Sequence, residues 1–108
     1  MGLKDTPASN PHLASRRRAL FKAIASLRSV EDCERFLTDL CTPAELAAMS
    51  DRWAVARLLD RQIPYRQIQR DTAVSTATIT RVARAFYHGE GGYRGVLDGL
   101  KDGLKEVR

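Results

Sequence analysis

Residues 64–87, PYRQIQRDTAVSTATITRVARAFY, decide the fold of this 108-residue chain. Pro64 is typical of the start of a helix, here a short one. Residues 72–74 are predicted to turn, and Ser75 is a suitable N-cap for a second helix that runs to about Tyr87. Two short helices joined by a tight turn predict a helix-turn-helix at about residues 64–87.

The second of these helices has an uncommon beginning, because STATIT at 75–80 is rich in Thr, a mediocre helix former. On a wheel of about 100° per residue, Ile79, Val82 and Phe86 fall together and predict the inner face. The opposite face carries small side chains near its start and cationic side chains farther along. Its residues are Ala77, Thr80, Arg81 and Arg84, with Thr76 at the margin. Hydroxyls and methyl groups can contact base edges in the major groove, and arginine can reach guanine or phosphate. This face therefore predicts a recognition helix for double-stranded DNA.

The net charge of the chain is +5, and most of it lies in one segment. Residues 61–88 contain five arginines and one aspartate, which gives +4, whereas residues 1–60 give +1 and residues 89–108 give zero. A localised basic patch favours a polyanionic partner. A solvated surface is the alternative explanation of the charge taken alone.

Two further helices are predicted before the basic segment. Leu13, Leu20, Ile24 and Leu27 recur at helical spacing and predict the first. Ser29 is a suitable cap for the next one. The triplet RRR at 16–18 is interpreted as a solvated face of the first helix.

The third helix has the strongest local start signal. Thr42 and Glu45 match a capping box, Pro43 stands at the first helical position, and the helix is predicted to run to about Asp60. Eleven of residues 44–59 are Ala, Leu, Met, Val or Trp and surround the helix axis. A helix that is apolar on nearly every side is predicted to be buried, and so to be the central element. It is too apolar for a small monomer to cover comfortably, which predicts dimerisation.

The last helix follows a glycine-rich break, Gly89 to Gly92, and is predicted from about Tyr93. It places a stripe of apolar residues on one side: Val96, Leu97, Leu100, Leu104 and Val107.

No strand pattern is present, so the predicted fold class is all-α with six helices. Residues 1–11 are polar and are predicted to form a disordered N-terminal arm. Residues 12–108 are predicted to form a single helical domain for DNA binding and dimerisation.

Several classes of protein are disfavoured. No apolar run is long enough to span a bilayer, so no membrane association is predicted. Cys33 and Cys41 match no metal or disulfide framework and are interpreted as small buried hydrophobes in a reducing cytoplasm. His12 and His88 lie on unrelated segments without a nucleophile or metal spacing, so an enzyme is not predicted.

Three motifs resemble those of the Trp repressor superfamily, in its YerC/YecD-like branch: TPAEL…DRW at 42–53, YRQIQRDTAVSTATITRV at 65–82 and YHGEGGYRGVL at 87–97. The resemblance covers roughly residues 30–100 and implies an interlocked homodimer of six-helix chains. It also implies a cytoplasmic, nucleoid-associated transcriptional regulator of bacteria, a repressor, which reads a palindromic operator. The positions that match operator contacts in the family are Arg66, Gln69, Thr76, Ala77, Thr78 and Thr80.

The resemblance also implies a possible effector site, because Arg52 and Arg81 match the arginines that enclose the indole ring of L-tryptophan in the Trp repressor. Two departures predict that operator binding here does not depend on tryptophan. Val82 replaces a glycine, and Ala85 replaces a serine that holds the ligand's amino group. Two further departures concern local structure: Ala73 occupies a turn position usually filled by glycine, and Pro64 stands where a serine cap is usual. No cofactor is predicted, and the alternative function is that of a helical protein-interaction adaptor without specific DNA binding.

Overall fold

The computed structural model describes residues 11–107, with side chains from His12 to Lys101, and contains six helices and no strand in that range. The helices are α1 (Pro11–Ala25), α2 (Val30–Leu40), α3 (Pro43–Asp60), α4 (Tyr65–Thr72), α5 (Thr76–His88) and α6 (Gly92–Val107). The predicted all-α class with six helices is confirmed. None of these helices combines the length and the apolar character needed to cross a membrane.

Backbone contacts divide the chain into two compact units, one ending at Thr42 and the other beginning at Pro43. Residues 1–10 of the predicted disordered arm lie outside the described residues, and Pro11 already belongs to α1. The prediction of a single domain over residues 12–108 stays a prediction.

The first unit consists of α1 and α2. The predicted cap is confirmed: the Ser29 hydroxyl accepts a hydrogen bond from the Asp32 backbone N–H at 3.0 Å. Cys33 and Cys41 are free thiols that are half-buried, so the prediction of full burial is wrong for this chain. Large apolar side chains remain exposed on both helices, namely Phe21, Ile24, Val30 and Leu40.

The second unit is built around the C-terminal half of α3. Val55 and Ala56 are fully buried, and Leu59 is nearly so. Around them pack the inner side chains of α4, the following turn and α5: Ile68, Val74, Ile79, Val82 and Ala83. The predicted inner face of α5 is thereby confirmed, with Phe86 half-buried beside it.

The structure agrees with the prediction that α3 is central and too apolar for one small chain to cover. The predicted bounds of the helix are also confirmed. Its C-terminal half is buried at Val55, Ala56 and Leu59, whereas its N-terminal half leaves Ala44, Ala47 and Ala48 exposed. The physical reason is that α4, α5 and α6 cover only the second half of the helix. Apolar residues alone do not specify which element, or which chain, covers them.

Ion pairs connect helix α6 to the end of α3. The Asp60 carboxylate, whose side chain is 8% exposed, accepts from Arg94 Nη1 at 2.6 Å and from Lys101 Nζ at 2.8 Å. The hydrogen bonds from Lys101 and Arg94 hold the pKa of the Asp60 carboxyl below its usual range. Of the predicted apolar stripe, Leu97 is buried, whereas Val96 and Leu100 are exposed. Leu104 and Val107 lie outside the described side chains.

Candidate nucleic-acid interface

Helix α4 presents two of the predicted contact residues. Arg66 and Gln69 are both exposed and lie three positions apart, on one face, while Ile68 between them is fully buried. The Pro64 carbonyl begins the helix by accepting from the Gln67 and Ile68 N–H groups at 2.9 and 3.0 Å. Pro64 makes no side-chain cap hydrogen bond. The first N–H groups of a helix have no partner inside the helix, and in place of a side chain they can donate to water.

The turn between α4 and α5 consists of residues 73–75 and has a fixed geometry. Ala73, at the turn position usually filled by glycine, adopts the left-handed conformation with φ 61° and ψ 15°. Its N–H donates to the Gln69 carbonyl at 2.8 Å. The Thr72 hydroxyl donates to the Ile68 carbonyl at 2.7 Å and accepts from the Val74 N–H at 3.1 Å. Because Val74 is also buried, backbone and core together set the direction in which α5 leaves the turn.

Helix α5 begins at a side-chain cap. The Ser75 hydroxyl accepts from the Thr78 N–H at 3.1 Å and donates to the Thr78 hydroxyl at the same distance. Thr78 is half-buried, and its hydroxyl already takes part in the cap. Its predicted contact with DNA stays a prediction. The other five contact residues matched through the family are exposed.

The rest of the predicted face of α5 is exposed, and its members are Thr76, Ala77, Thr80, Arg81 and Arg84. Their side of the helix is opposite the buried Ile79 and Val82. The structure therefore brings the small residues near the start of α5 and the arginines farther along onto one solvent-facing surface. Arg66 and Gln69 belong to the preceding helix of the same compact unit.

The five arginines of residues 61–88 are all exposed, and none forms an ion pair within the described part of the chain. These arginines are Arg61, Arg66, Arg70, Arg81 and Arg84. Cations without carboxylate partners keep a positive potential at the surface, and that potential attracts a polyanion.

The two possible effector residues lie in different surroundings. Arg52 is half-buried on α3, whereas Arg81 is exposed on α5. Val82 is 1% exposed and belongs to the core, so its side chain fills space that a glycine would leave open. Ala85 lies on the rim of a separate cavity of about 510 Å³, which is lined by Trp53, Ala85, Glu90, Gly92, Tyr93 and Val96. The lining includes the Glu90 carboxylate and no cationic side chain, so it offers no charged partner to the carboxylate of an amino acid.

A second, smaller groove was missed by sequence reasoning. It measures about 230 Å³ and is lined by Tyr65, Thr80, Ala83, Arg84, Tyr87 and His88. The signal that could have indicated it is helical spacing, because Thr80, Arg84, Tyr87 and His88 fall at i, i+4, i+7 and i+8.

Among the residues whose side chains the structure describes, no group of three or more His, Cys, Asp or Glu is arranged to hold a metal ion.

Comparison with known proteins agrees with this architecture. The family model of the Trp repressor protein matches residues 15–101. The chain is 42% identical over 83 residues to the uncharacterized protein YerC of Bacillus subtilis strain 168, covering 77% of this chain and 80% of that one. It is 49% identical over 49 residues to the Trp operon repressor homolog of Actinobacillus succinogenes, covering 44% and 48% of the two chains.

A solved structure shows the same fold. The crystal structure of a TrpR-like protein from Eubacterium eligens superimposes with a TM-score of 0.74 at 38% identity, covering 78% of this chain and 87% of that one. The match of the family model extends from α1 to α6, far more than half of the chain. The chain belongs to the Trp repressor family.

Proposed function

We propose that this protein is a sequence-specific, DNA-binding transcriptional regulator, a repressor, in which α4 and α5 form the helix-turn-helix. The observation that carries the proposal is the division of α5 into two faces. Its core side is buried, and its exposed side carries Thr76, Ala77 and Thr80 near the start and Arg81 and Arg84 farther along. Family membership and the likeness to a protein named as a Trp operon repressor homolog support the same function.

The chemistry of the exposed side suits base reading. Short side chains near the start of α5 let the helix approach the floor of the major groove closely, and threonine can both donate and accept hydrogen bonds there. Arg66, Gln69, Arg81 and Arg84 then reach guanine edges or phosphates from the two helices. The five exposed arginines of residues 61–88 supply the attraction to the DNA backbone that does not depend on sequence.

The proposal includes a homodimer and a palindromic operator. In the single chain Ala44, Ala47 and Ala48 at the start of α3 are exposed, and Val96 and Leu100 of α6 are 53% and 56% exposed. Apolar surface of this extent favours association with another surface, and the members of this family are dimers. A two-fold dimer presents its two reading helices to half-sites related by the same symmetry.

The proposal also includes operator binding without tryptophan. Val82 occupies core volume, and Ala85 offers no hydroxyl to a ligand's ammonium group. Extra carbon in a fitted site costs about 1–3 kcal/mol. A lost hydrogen bond to a charged group costs about 1.5–3 kcal/mol more. Calorimetric titration with L-tryptophan should show no micromolar binding, and operator affinity should be the same with and without tryptophan.

The experiment that tests the function is selection of bound duplexes from a random DNA library with the purified full chain. We expect enrichment of one sequence with two-fold symmetry. A helical adaptor, the alternative function, would enrich no sequence. The family consists of regulators, and no arrangement in the described residues favours an enzyme over either of these two functions.

A further inference from the structure

The groove between the start of α4 and the C-terminal half of α5 has a chemistry suited to an anion. Five of its six lining residues carry a hydrogen-bond donor, and none carries a carboxylate. The donors are the Tyr65 and Tyr87 phenols, the Thr80 hydroxyl, the Arg84 guanidinium and the His88 imidazole. Such a set favours a ligand that offers several acceptor oxygens and negative charge.

Both tyrosines of the groove are largely exposed, Tyr65 by 46% and Tyr87 by 57%. Tyr87 is nevertheless held in place, because its ring packs edge-on against Phe86 with ring centroids 4.9 Å apart and planes at 90°. Phe86 itself is half-buried against the core of the unit. A donor that is positioned before its ligand arrives loses less conformational entropy on binding.

The groove is continuous with the proposed reading face, because Thr80 and Arg84 belong to both. From Thr76 to Tyr87 the helix rises about 16 Å, at about 1.5 Å per residue. The major groove of DNA is about 12 Å wide. A helix that enters it by its N-terminal part therefore has its last turns beside a backbone strand.

We propose that this groove binds the sugar–phosphate backbone of DNA, with Tyr65, Tyr87 and His88 as contact residues in addition to Arg84. The inference rests on the proposed function, which it extends from base reading to a defined backbone contact. A strand of duplex DNA presents a phosphate about every 3.4 Å along the helix axis, so a row of donors in this position meets at least one. Phosphate oxygens accept hydrogen bonds from phenol, imidazole and guanidinium groups alike.

The test uses Tyr65→Phe and Tyr87→Phe, which remove one hydroxyl each and leave the rings in place. Affinities are measured for the enriched operator and for a random duplex over a range of salt concentrations. Each variant should bind about tenfold more weakly, in keeping with a lost hydrogen bond to a charged group. The loss should be equal on both duplexes, because backbone contacts do not distinguish sequences. The slope of log affinity against log salt should stay unchanged, because no charge is removed.

Tyr93→Phe is the matched control, since Tyr93 lies outside the groove, and it should bind both duplexes as the wild type does. Melting temperatures of the three variants establish that each is folded. Wild-type affinity in both Tyr65→Phe and Tyr87→Phe would overturn the inference, and so would a loss confined to the operator, which would make these residues base readers. A wild-type chain that binds no duplex would instead overturn the proposed function, and the backbone contact with it.

Discussion

The turn that leads from α3 into α4 contains a residue in an unfavourable conformation. Gln62 has φ 61° and is exposed. Its N–H donates to the Leu59 carbonyl at 2.9 Å, and the next N–H donates to the Leu58 carbonyl at 3.1 Å. These two bonds cap the C-terminus of α3, and the left-handed residue in such a cap is usually glycine. A non-glycine residue in the left-handed region costs roughly 1–2 kcal/mol.

Gln62→Gly should therefore stabilise the protein. The substitution removes the free-energy cost of a side chain in the left-handed region. Because the Gln62 side chain is exposed, the protein should lose little packing. The opposing term is the larger entropy that glycine loses on folding, about 0.5–1 kcal/mol. The net gain should be about 0.5–1 kcal/mol, which raises the melting temperature of a domain of this size by several degrees.

The matched control is Gln67→Gly, the same change at an exposed position in helical conformation on α4. It should cost up to about 1 kcal/mol, because glycine has a low helix propensity. Both variants are compared with the wild type by denaturant unfolding at one protein concentration, since stability is concentration-dependent if the protein is a dimer. If Gln62→Gly destabilised the protein as much as Gln67→Gly does, the reasoning from the backbone angle would be refuted.

Three further changes have expected outcomes. Ser75→Ala should lower the free energy of unfolding by about 1 kcal/mol, because α5 loses its cap, and denaturant unfolding measures the loss. Ile68→Ala should lower it by roughly 2–5 kcal/mol, because the side chain is fully buried, and an unchanged unfolding midpoint would contradict the described core. Asp60→Asn should reduce the sensitivity of the fold to acid. Because Lys101 and Arg94 lower its folded-state pKa, the carboxylate stabilises the fold above its unfolded pKa of about 3.9 and loses that effect as the pH falls through the folded value. Melting temperatures measured from neutral pH to about pH 2 should therefore converge for the two proteins at the acid end.

Helix boundaries were predictable because their signals are local. Ser29 and Ser75 cap the helices that follow them, and α3 begins at Pro43. Each signal acts within one turn of chain, so it can be recognised without knowledge of the tertiary fold. The two faces of α5 were predictable for a related reason, because helical periodicity assigns its residues to core or solvent.

Long-range contacts could not be predicted in this way. Arg94 reaches Asp60 across 34 residues, and many other carboxylates in the sequence could have served as its partner. The groove beside the proposed reading face depends on the angle at which α4 meets α5, and this angle is set by Ala73 and the buried Val74. The exposed alanines at the start of α3 show the same limit, since an apolar pattern predicts burial without specifying which element covers the residues.

Selection from random DNA with the wild type and Thr80→Ala in parallel tests the central claim most directly. Thr80 lies on the exposed side of α5, where it can contact one base pair in each half-site. We expect the wild type to enrich a two-fold symmetric sequence and Thr80→Ala to lose preference at one symmetry-related pair of positions, by about 1 kcal/mol or more. Enrichment of no sequence by the wild type, or the same preference at every position in both proteins, would contradict the assignment of α5 as the reading helix.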